Sequence, residues 1–404
     1  MHLGIMKLGI GVPTFRRPGS LRRCLQRLRD LTSTPHELIV ADDGSEDETA
    51  EIIGSFKVRR VTGRNMGVCW NKNRALFALH EVLGCDVVIL IEDDTFPNVQ
   101  GWERNWIAAA QRYGHANLVG DWFKSQFVQG AGTVEDPVFS RQTSGQVTAF
   151  SGEALAAVGY LDTRFRGYGF GHVDHTVRMI RAGYGGRFED NRALFLLIEG
   201  SVTVTAEHTN RNEAQLAANK QLMQKNLKEP LFRLPWSSDA EKEQLCRELR
   251  KVPKARQLDL DSLAEPITCS VDELANGTLR GWASAGRDAP PARLRLLIDG
   301  VEVARIACDE DRPDVWNSGF ALKSGFRVTV PRRFHDGRLH MIQLRSERGR
   351  SVSFLVDGVP RVEAAFSLGG EHGEGAARLV SAVAAHLKRI GAERNPNPPG
   401  GFGG

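Results

Sequence analysis

The sequence predicts an α/β domain on a parallel, doubly wound sheet, followed by a small all-β, sandwich-like domain. Strand-type and helix-type apolar patterns alternate from residue 7 to about residue 206, the rhythm of parallel strands joined by right-handed crossovers. From about residue 267 to 366 apolar residues recur at every second position, with Asp299-Gly300, Asp336-Gly337 and Asp357-Gly358 as hairpin-type turns between the runs. One strand-like run, Val87–Ile91, ends in the acids Glu92-Asp93-Asp94 rather than in a neutral turn.

Residues 8–12 form a short apolar strand closed by Pro13-Thr14. Ser20 is placed to cap a helix in which Leu21, Leu25 and Leu28 keep helical spacing. Residues 37–41 are the next strand, ending in Asp42-Asp43-Gly44-Ser45, and helix resumes over 47–53. Residues 58–61 read as a third strand, 69–82 as a helix, and Val87–Ile91 as a fourth strand, buried because five consecutive residues are aliphatic. The expected organisation is an α/β domain over 1–228, a charged helical linker over 229–264 with Pro235 and Pro253 as breakers, and an all-β domain over 265–366. The last segment, 367–404, would carry an amphipathic helix with Leu379, Val383, Leu387 and Ile390 on one face, then a Pro- and Gly-rich disordered tail.

Of 404 residues, 41% are hydrophobic and 25% charged, the balance of a globular chain long enough for two or three domains. A net charge of +4 argues against a dedicated nucleic-acid binder. The basic excess is local: Arg16, Arg17, Arg22, Arg23, Arg27 and Arg29 crowd the first loop and helix, suiting a phosphate-bearing ligand or an anionic membrane face, and for most members a solvated helix surface. Six cysteines without a CxxC pair indicate neither a zinc knuckle nor a disulfide framework. No run approaches membrane-span length and residues 1–8 lack a signal-peptide core. The expected location is cytoplasmic, with peripheral contact at the inner membrane face left open.

Acids at a strand's carboxyl end stand where open α/β sheets bind ligands. Adjacent carboxylates repel one another unless a cation lies between them, and oxygen-only ligation suits Mg2+ or Mn2+. Without such a cation an acidic run is a solvated loop.

Four motifs occur in a fixed order: Gly11-Val12-Pro13-Thr14-Phe15-Arg16-Arg17-Pro18; Val40-Ala41-Asp42-Asp43-Gly44-Ser45; Asn65, Gly67, Lys72 and Asn73; and Glu92-Asp93-Asp94. In that order the stretch from about residue 7 to 226 resembles the glycosyltransferase family 2 enzymes of the GT-A fold, a Rossmann-like nucleotide-diphospho-sugar transferase fold. The resemblance implies that Pro13, Thr14 and Arg16 meet the nucleotide and that Asp43 accepts from the base's ring N–H. It implies that Asn65, Lys72, Asn73 and Asp93 line the same site, and that Glu92 and Asp94 fall at the family's Asp-x-Asp metal motif. Lys72 stands where Arg is usual, and Glu92 replaces the first aspartate. A metal held there would act as a Lewis acid on the departing diphosphate, while remote hydrogen bonds orient the donor.

The stretch 150–186, with Gly167-Tyr168-Gly169-Phe170-Gly171-His172-Val173-Asp174-His175, is similar to the family's acceptor-side segment. Asp174 and Arg178 match its later Asp and Arg, whereas Gly171-His172 replaces a Glu-Asp pair. An imidazole and a carboxylate are both able to take the acceptor's proton, so Asp174 and His172 are both candidate bases. His208, within Glu207-His208-Thr209-Asn210, resembles the C-terminal histidine that ligates metal in GT-A enzymes. The β domain is similar to an accessory domain often appended to bacterial glycosyltransferases.

The resemblance implies a metal-dependent, hexosyltransferase-type enzyme of polysaccharide biosynthesis. It would use Mn2+ or Mg2+ and move a sugar from a nucleotide sugar donor, expected to be UDP-linked, to a glycan or glycoconjugate acceptor, without nucleic acid. A nucleotidyltransferase would want a glycine-rich loop after the first strand, where Pro13-Thr14-Phe15-Arg16-Arg17-Pro18-Gly19 is basic but poor in glycine. An inactive sugar-binding protein is the reading that Gly171-His172 suggests.

Overall fold

The computed structural model describes residues 6–189, 192–205, 212–227, 229, 231–253, 255, 267–347, 351–352, 354–356, 359–361, 363–369 and 380–381. The chain divides into two compact units, Met1–Ala264 and Glu265–Gly404.

In the first unit the chain runs β1 (Leu8–Thr14), α1 (Pro18–Leu31), β2 (His36–Asp42), α2 (Thr49–Ser55), β3 (Arg59–Thr62), α3 (Val68–Phe77), β4 (Val87–Ile91) and β5 (Thr95–Pro97). There follow α4 (Glu103–Tyr113), β6 (His115–Leu118), β7 (Phe127–Gln129), β8 (Val138–Ser140), β9 (Val147–Ser151), α5 (Gly152–Val158) and α6 (Gly171–Arg181). The unit closes with β10 (Gly186–Glu189), β11 (Arg192–Ile198), β12 (Val202–Val204), α7 (Glu213–Asn226) and α8 (Asp239–Leu249). Strands β3-β2-β1-β4 lie parallel, so the carboxyl ends of β1, β2 and β4 open on one edge. Beyond β4 the sheet is mixed, not wholly parallel: β9 lies antiparallel between β4 and β6.

The core packs the inner faces of β1, β2 and β4 against Leu21, Leu25 and Leu28 of α1 and Trp106, Ala109 and Ala110 of α4. Ser20 does not cap α1. Pro18 opens the helix, its fixed φ suiting the first turn, and Arg17 holds the capping position with its carbonyl accepting from Leu21 N at 3.0 Å. The segment expected to be a linker packs into this unit instead: Glu248 of α8 accepts from Trp70 Nε1 at 3.0 Å and from Arg74 Nε at 2.8 Å, both on α3.

The second unit runs β13 (Thr268–Ala275), β14 (Thr278–Ser284), β15 (Arg293–Ile298), β16 (Val301–Ala307), β17 (Glu310–Asp311), α9 (Pro313–Asn317) and β18 (Lys323–Thr329). It continues with β19 (His340–Ser346), β20 (Ser351–Val352), β21 (Phe354–Val356), β22 (Val359–Arg361), β23 (Glu363–Phe366) and β24 (Val380–Ser381). Its described strands form two six-stranded sheets around a shared core that includes Leu279, Leu296, Phe326, Leu344 and Phe354. Asp299 and Gly300 take φ of 51° and 77°, the left-handed pair of a tight hairpin turn between β15 and β16. Val380–Ser381 pairs with β23 as a strand where a helix was expected. Leu379, Val383, Leu387 and Ile390 lie outside the described residues.

Candidate active site

The carboxyl edge of β1, β2 and β4 is tied together through Thr14. Its hydroxyl donates to Asp93 Oδ2 at 2.6 Å, and its carbonyl accepts from Asp43 N at 3.0 Å and from Asn71 Nδ2 at 3.2 Å. Pro13 is buried beside it in β1.

The acids do not point one way. Thr95 N donates to Glu92 O at 3.0 Å, so the chain turns sharply straight after β4 and strand alternation stops. Glu92 is carried towards Lys72, whose buried ammonium lies 2.8 Å from Glu92 Oε1 and 2.9 Å from Gly145 O. Asp93 and Asp94 instead meet one guanidinium, Arg17 Nη1, at 3.3 Å and 3.1 Å. The converging carboxylates are therefore Asp93 and Asp94, not Glu92 and Asp94. Burial pushes Asp93 up to about 7; Thr14 and Arg17 pull it down, while Asp94 and Glu92 add to the rise.

Two carboxylate oxygens on one cation are a donor set that a hard divalent ion also accepts. Asp93 and Asp94 fit such an ion as the acidic part of its shell. No group of three His, Cys, Asp or Glu is gathered closely enough for a metal among the described residues, and His208 lies outside them.

Arg17 was visible in the sequence only as one member of a basic run. Arg16, the expected nucleotide contact, turns the other way in a left-handed conformation (φ 53°), giving its N–H to Ser45 Oγ at 2.9 Å and its guanidinium to Glu46.

Asp43 binds the next turn rather than facing outward with both oxygens. Oδ1 accepts from Met66 N at 2.9 Å and Arg74 Nη1 at 2.6 Å, and Oδ2 from Gly67 N at 2.8 Å. Burial raises its pKa, against the pull of these donors. Gly44 is required here: at φ 82° a Cβ would stand 2.7 Å from Gly63 O. Asn65 is exposed at the head of this turn.

On α3, Asn71 and Arg74 are three apart and share the face towards β1 and β2. Asn71 Nδ2 reaches Ala41 O at 2.8 Å, and Arg74 reaches both Asp43 and Glu248. Asn73, the expected nucleotide residue, faces away and clamps Leu161 through its N–H and carbonyl at 3.0 and 2.8 Å.

The two candidate bases are in different surroundings. Asp174 is buried with both oxygens engaged, Oδ2 by Arg178 Nε and Oδ1 by Asn226 Nδ2, each at 2.9 Å. Arg178 also donates to Val158 O, Leu231 O and Tyr160 O, which makes the pair a girder joining α6 to the loops beneath it. His172 instead stands beside Lys72 and Thr143–Gln146. A Cβ on Gly145 would lie 3.0 Å from His172 Cγ and 3.2 Å from Lys72 Nζ. Burial and then the Lys72 charge lower the His172 imidazole to about 4, against a hydrogen bond that the ring donates to the Thr143 backbone. The ring is neutral at pH 7. Gly171 cannot carry the glutamate expected of a Glu-Asp pair, because even a Cβ would meet Cys69 Sγ at 2.3 Å. His175, on the next turn, is buried and bonds Gly159 O at 2.9 Å.

Residues 10–156 match the family model "Glycosyl transferase family 2". This segment is a family 2 glycosyltransferase domain. The glycosyltransferase domain has a GT-A-like α/β core, and glycosyl transfer is its general activity. No curated protein matches the chain. Among solved structures it is similar to the mannosyltransferase PcManGT from Pyrobaculum calidifontis in complex with GDP-Man and Mn2+, at 15% identity over 64% of this chain and 75% of that one, with a TM-score of 0.39. It is also similar to S. aureus TarS (11% identity, 93% of this chain and 85% of that one, TM-score 0.37). A third is glucosyl-3-phosphoglycerate synthase from Mycobacterium tuberculosis with Mn2+, UDP and glucosyl-3-phosphoglycerate (15% identity, 54% and 77%, TM-score 0.33). At TM-scores this low the likeness carries no functional weight.

Proposed function

We propose that the glycosyltransferase domain moves a sugar from a nucleoside diphosphate sugar, UDP-linked in the first instance, to a hydroxyl of a glycan or glycoconjugate, with Mn2+ or Mg2+ as cofactor. The observation that carries this reading is the convergence of Asp93, Asp94 and Arg17 beside Thr14, at the carboxyl ends of β1 and β4. A donor's diphosphate needs positive charge as it departs, and this is the place in the fold where carboxylates already gather it.

In this reading Asp93 and Asp94 hold the cation, with His208 as a further ligand. The metal, when bound, supplies Lewis-acid neutralisation of the leaving diphosphate. Arg17, freed from part of its pairing, turns its guanidinium to a phosphate oxygen. Thr14 fixes the orientation of Asp93. Pro13, Asp43, Asn65 and Lys72 frame the nucleotide side, Asp43 by holding the turn at Met66 and Gly67 and Lys72 by neutralising Glu92, while Arg16 and Asn73 are turned to other partners.

His172 is the base this reading prefers to Asp174. An imidazole neutral at pH 7 has a lone pair ready for the acceptor's proton, whereas the Asp174 carboxylate is spent on Arg178 and Asn226.

Incubating the protein with a panel of nucleotide sugars and glycan acceptors, and following the released nucleotide, tests the proposal. Release of a nucleoside diphosphate with a glycosylated acceptor supports it. Release of pyrophosphate, or no turnover of any donor with either metal, contradicts it.

A further inference from the structure

Seven buried side-chain polar atoms have no hydrogen-bond partner among the described residues, and three of them belong to Ser144, Gln146 and His172, the last with its ring against the intervening Gly145. The other four, on Glu103, Arg233, Ser324 and Arg345, are scattered over both units. A buried polar atom without a partner is costly, and several on one short stretch call for a group that satisfies them, whether a water, an ion or a ligand.

The stretch 143–146 is anchored against the acid tip of β4. Lys72 Nζ donates to Gly145 O at 2.9 Å, Glu92 N donates to Gln146 O at 2.8 Å, and Val147 then pairs with Ile91 as β9 begins. Gly145 lies against the His172 ring, where a Cβ would stand 3.0 Å from Cγ. Ser144 and Gln146 thus flank the glycine that faces His172. Their chemistry is that of hydroxyl recognition: an amide oxygen accepts, and a serine hydroxyl both donates and accepts.

We propose that Ser144 and Gln146 bind hydroxyls of the transferred sugar and so select the donor. This rests on the reading above, in which the neighbouring Asp93 and Asp94 take the diphosphate to which that sugar is bonded. The ring then lies between the diphosphate and His172, with its hydroxyls on the otherwise unsatisfied atoms. A site built to pair a hydroxyl rejects the analogue that lacks it far more strongly than an apolar pocket does.

The test compares wild type, Ser144→Ala, Gln146→Leu and Gln146→Glu by calorimetric titration with UDP and with UDP-sugars that differ at a single hydroxyl. The expected result is a UDP Kd within about twofold of wild type in every variant, with UDP-sugar binding weakened roughly tenfold in Ser144→Ala and Gln146→Leu. The preference among epimeric or deoxy sugars should flatten, and Gln146→Glu, which keeps an acceptor, should recover part of it. Thermal melting within a few degrees of wild type establishes that the variants are folded; for any that melts lower, Gln146→Glu carries the comparison. The proposal is overturned if discrimination between sugars is unchanged, or if UDP and UDP-sugar affinities fall in parallel. Failure of the underlying reading looks different: wild type then binds neither UDP nor any UDP-sugar, and this proposal falls with it.

Discussion

Arg74 Nη1 lies 2.6 Å from Asp43 Oδ1, and the guanidinium has no solvent exposure at all. The same side chain reaches Glu248, which burial would push up but which Arg74 holds below the usual carboxylate range. One cation therefore fastens β2 and α8 to α3. Arg74→Met leaves two buried carboxylates uncompensated and is expected to cost about 3–5 kcal/mol. Urea unfolding followed by circular dichroism measures it; a loss below about 1 kcal/mol would show that the junction is not a buried ionic one.

His172→Ala is expected to lower kcat by about 10²–10⁴-fold, with nucleotide affinity retained, because it removes the proton acceptor and nothing that grips the donor. Asp174→Asn should act first on stability, since it leaves Arg178 buried with a neutral neighbour. A lower melting temperature in that variant, beside a kcat loss in His172→Ala, separates the two roles. The reverse pattern would make Asp174 the base.

Much of this site is legible in the amino-acid sequence. The acid-tipped strand, the Thr14 strand end and the Asp42-Asp43-Gly44 turn are local signals, because a buried apolar run ending in polar residues has few ways to fold. The pairing of those residues is not legible. The turn at Glu92 O reverses which acids converge, and nothing in the tripeptide announces it. Asn71 and Arg74 share a helix face that a spacing argument can find. The partner Glu248, 174 residues from Arg74, carries no sequence signal and sits in a stretch whose composition reads as a linker. In the second unit, alternation and Asp-Gly turns reveal the strands, since period two and left-handed turn residues are both local properties.

His115 and His172 are each lowered to about 4 by burial. The unfolded chain, with histidines near 6.5, binds protons that the folded chain refuses, so this part of the stability is full above about 6.5 and is lost as pH falls towards about 4. Asp162, whose pKa is about 2, is raised by burial but held down by Arg164 and Asn226. Its contribution is full above about 4 and is lost as pH falls towards about 2. Asp93, raised to about 7, works the other way, because the fold takes up its proton before the unfolded chain does, so its part of the stability grows as pH falls from about 7 towards about 4. The histidine part is therefore read as a difference: the gap in melting temperature between wild type and His115→Gln should shrink as pH falls from about 6.5 towards about 4, and Asp162→Asn should flatten the curve below about pH 4 only. A gap that stays constant from about pH 7 to about pH 4.5 contradicts the histidine part.

Gly171→Ala places a Cβ 2.3 Å from Cys69 Sγ and is expected to cost about 1–3 kcal/mol by overpacking. Cys69→Ala in the same chain should recover most of that loss. Equal stability of the two single variants and the double variant would mean that the helix start relaxes freely.

The most direct measurement is nucleoside diphosphate release from a nucleotide sugar as Mn2+ is titrated, in wild type and in Asp94→Asn. Saturable dependence on Mn2+ is expected in wild type, with a loss on the order of 10²–10³-fold in Asp94→Asn at saturating donor. Equal rates in the two proteins across the titration would contradict it.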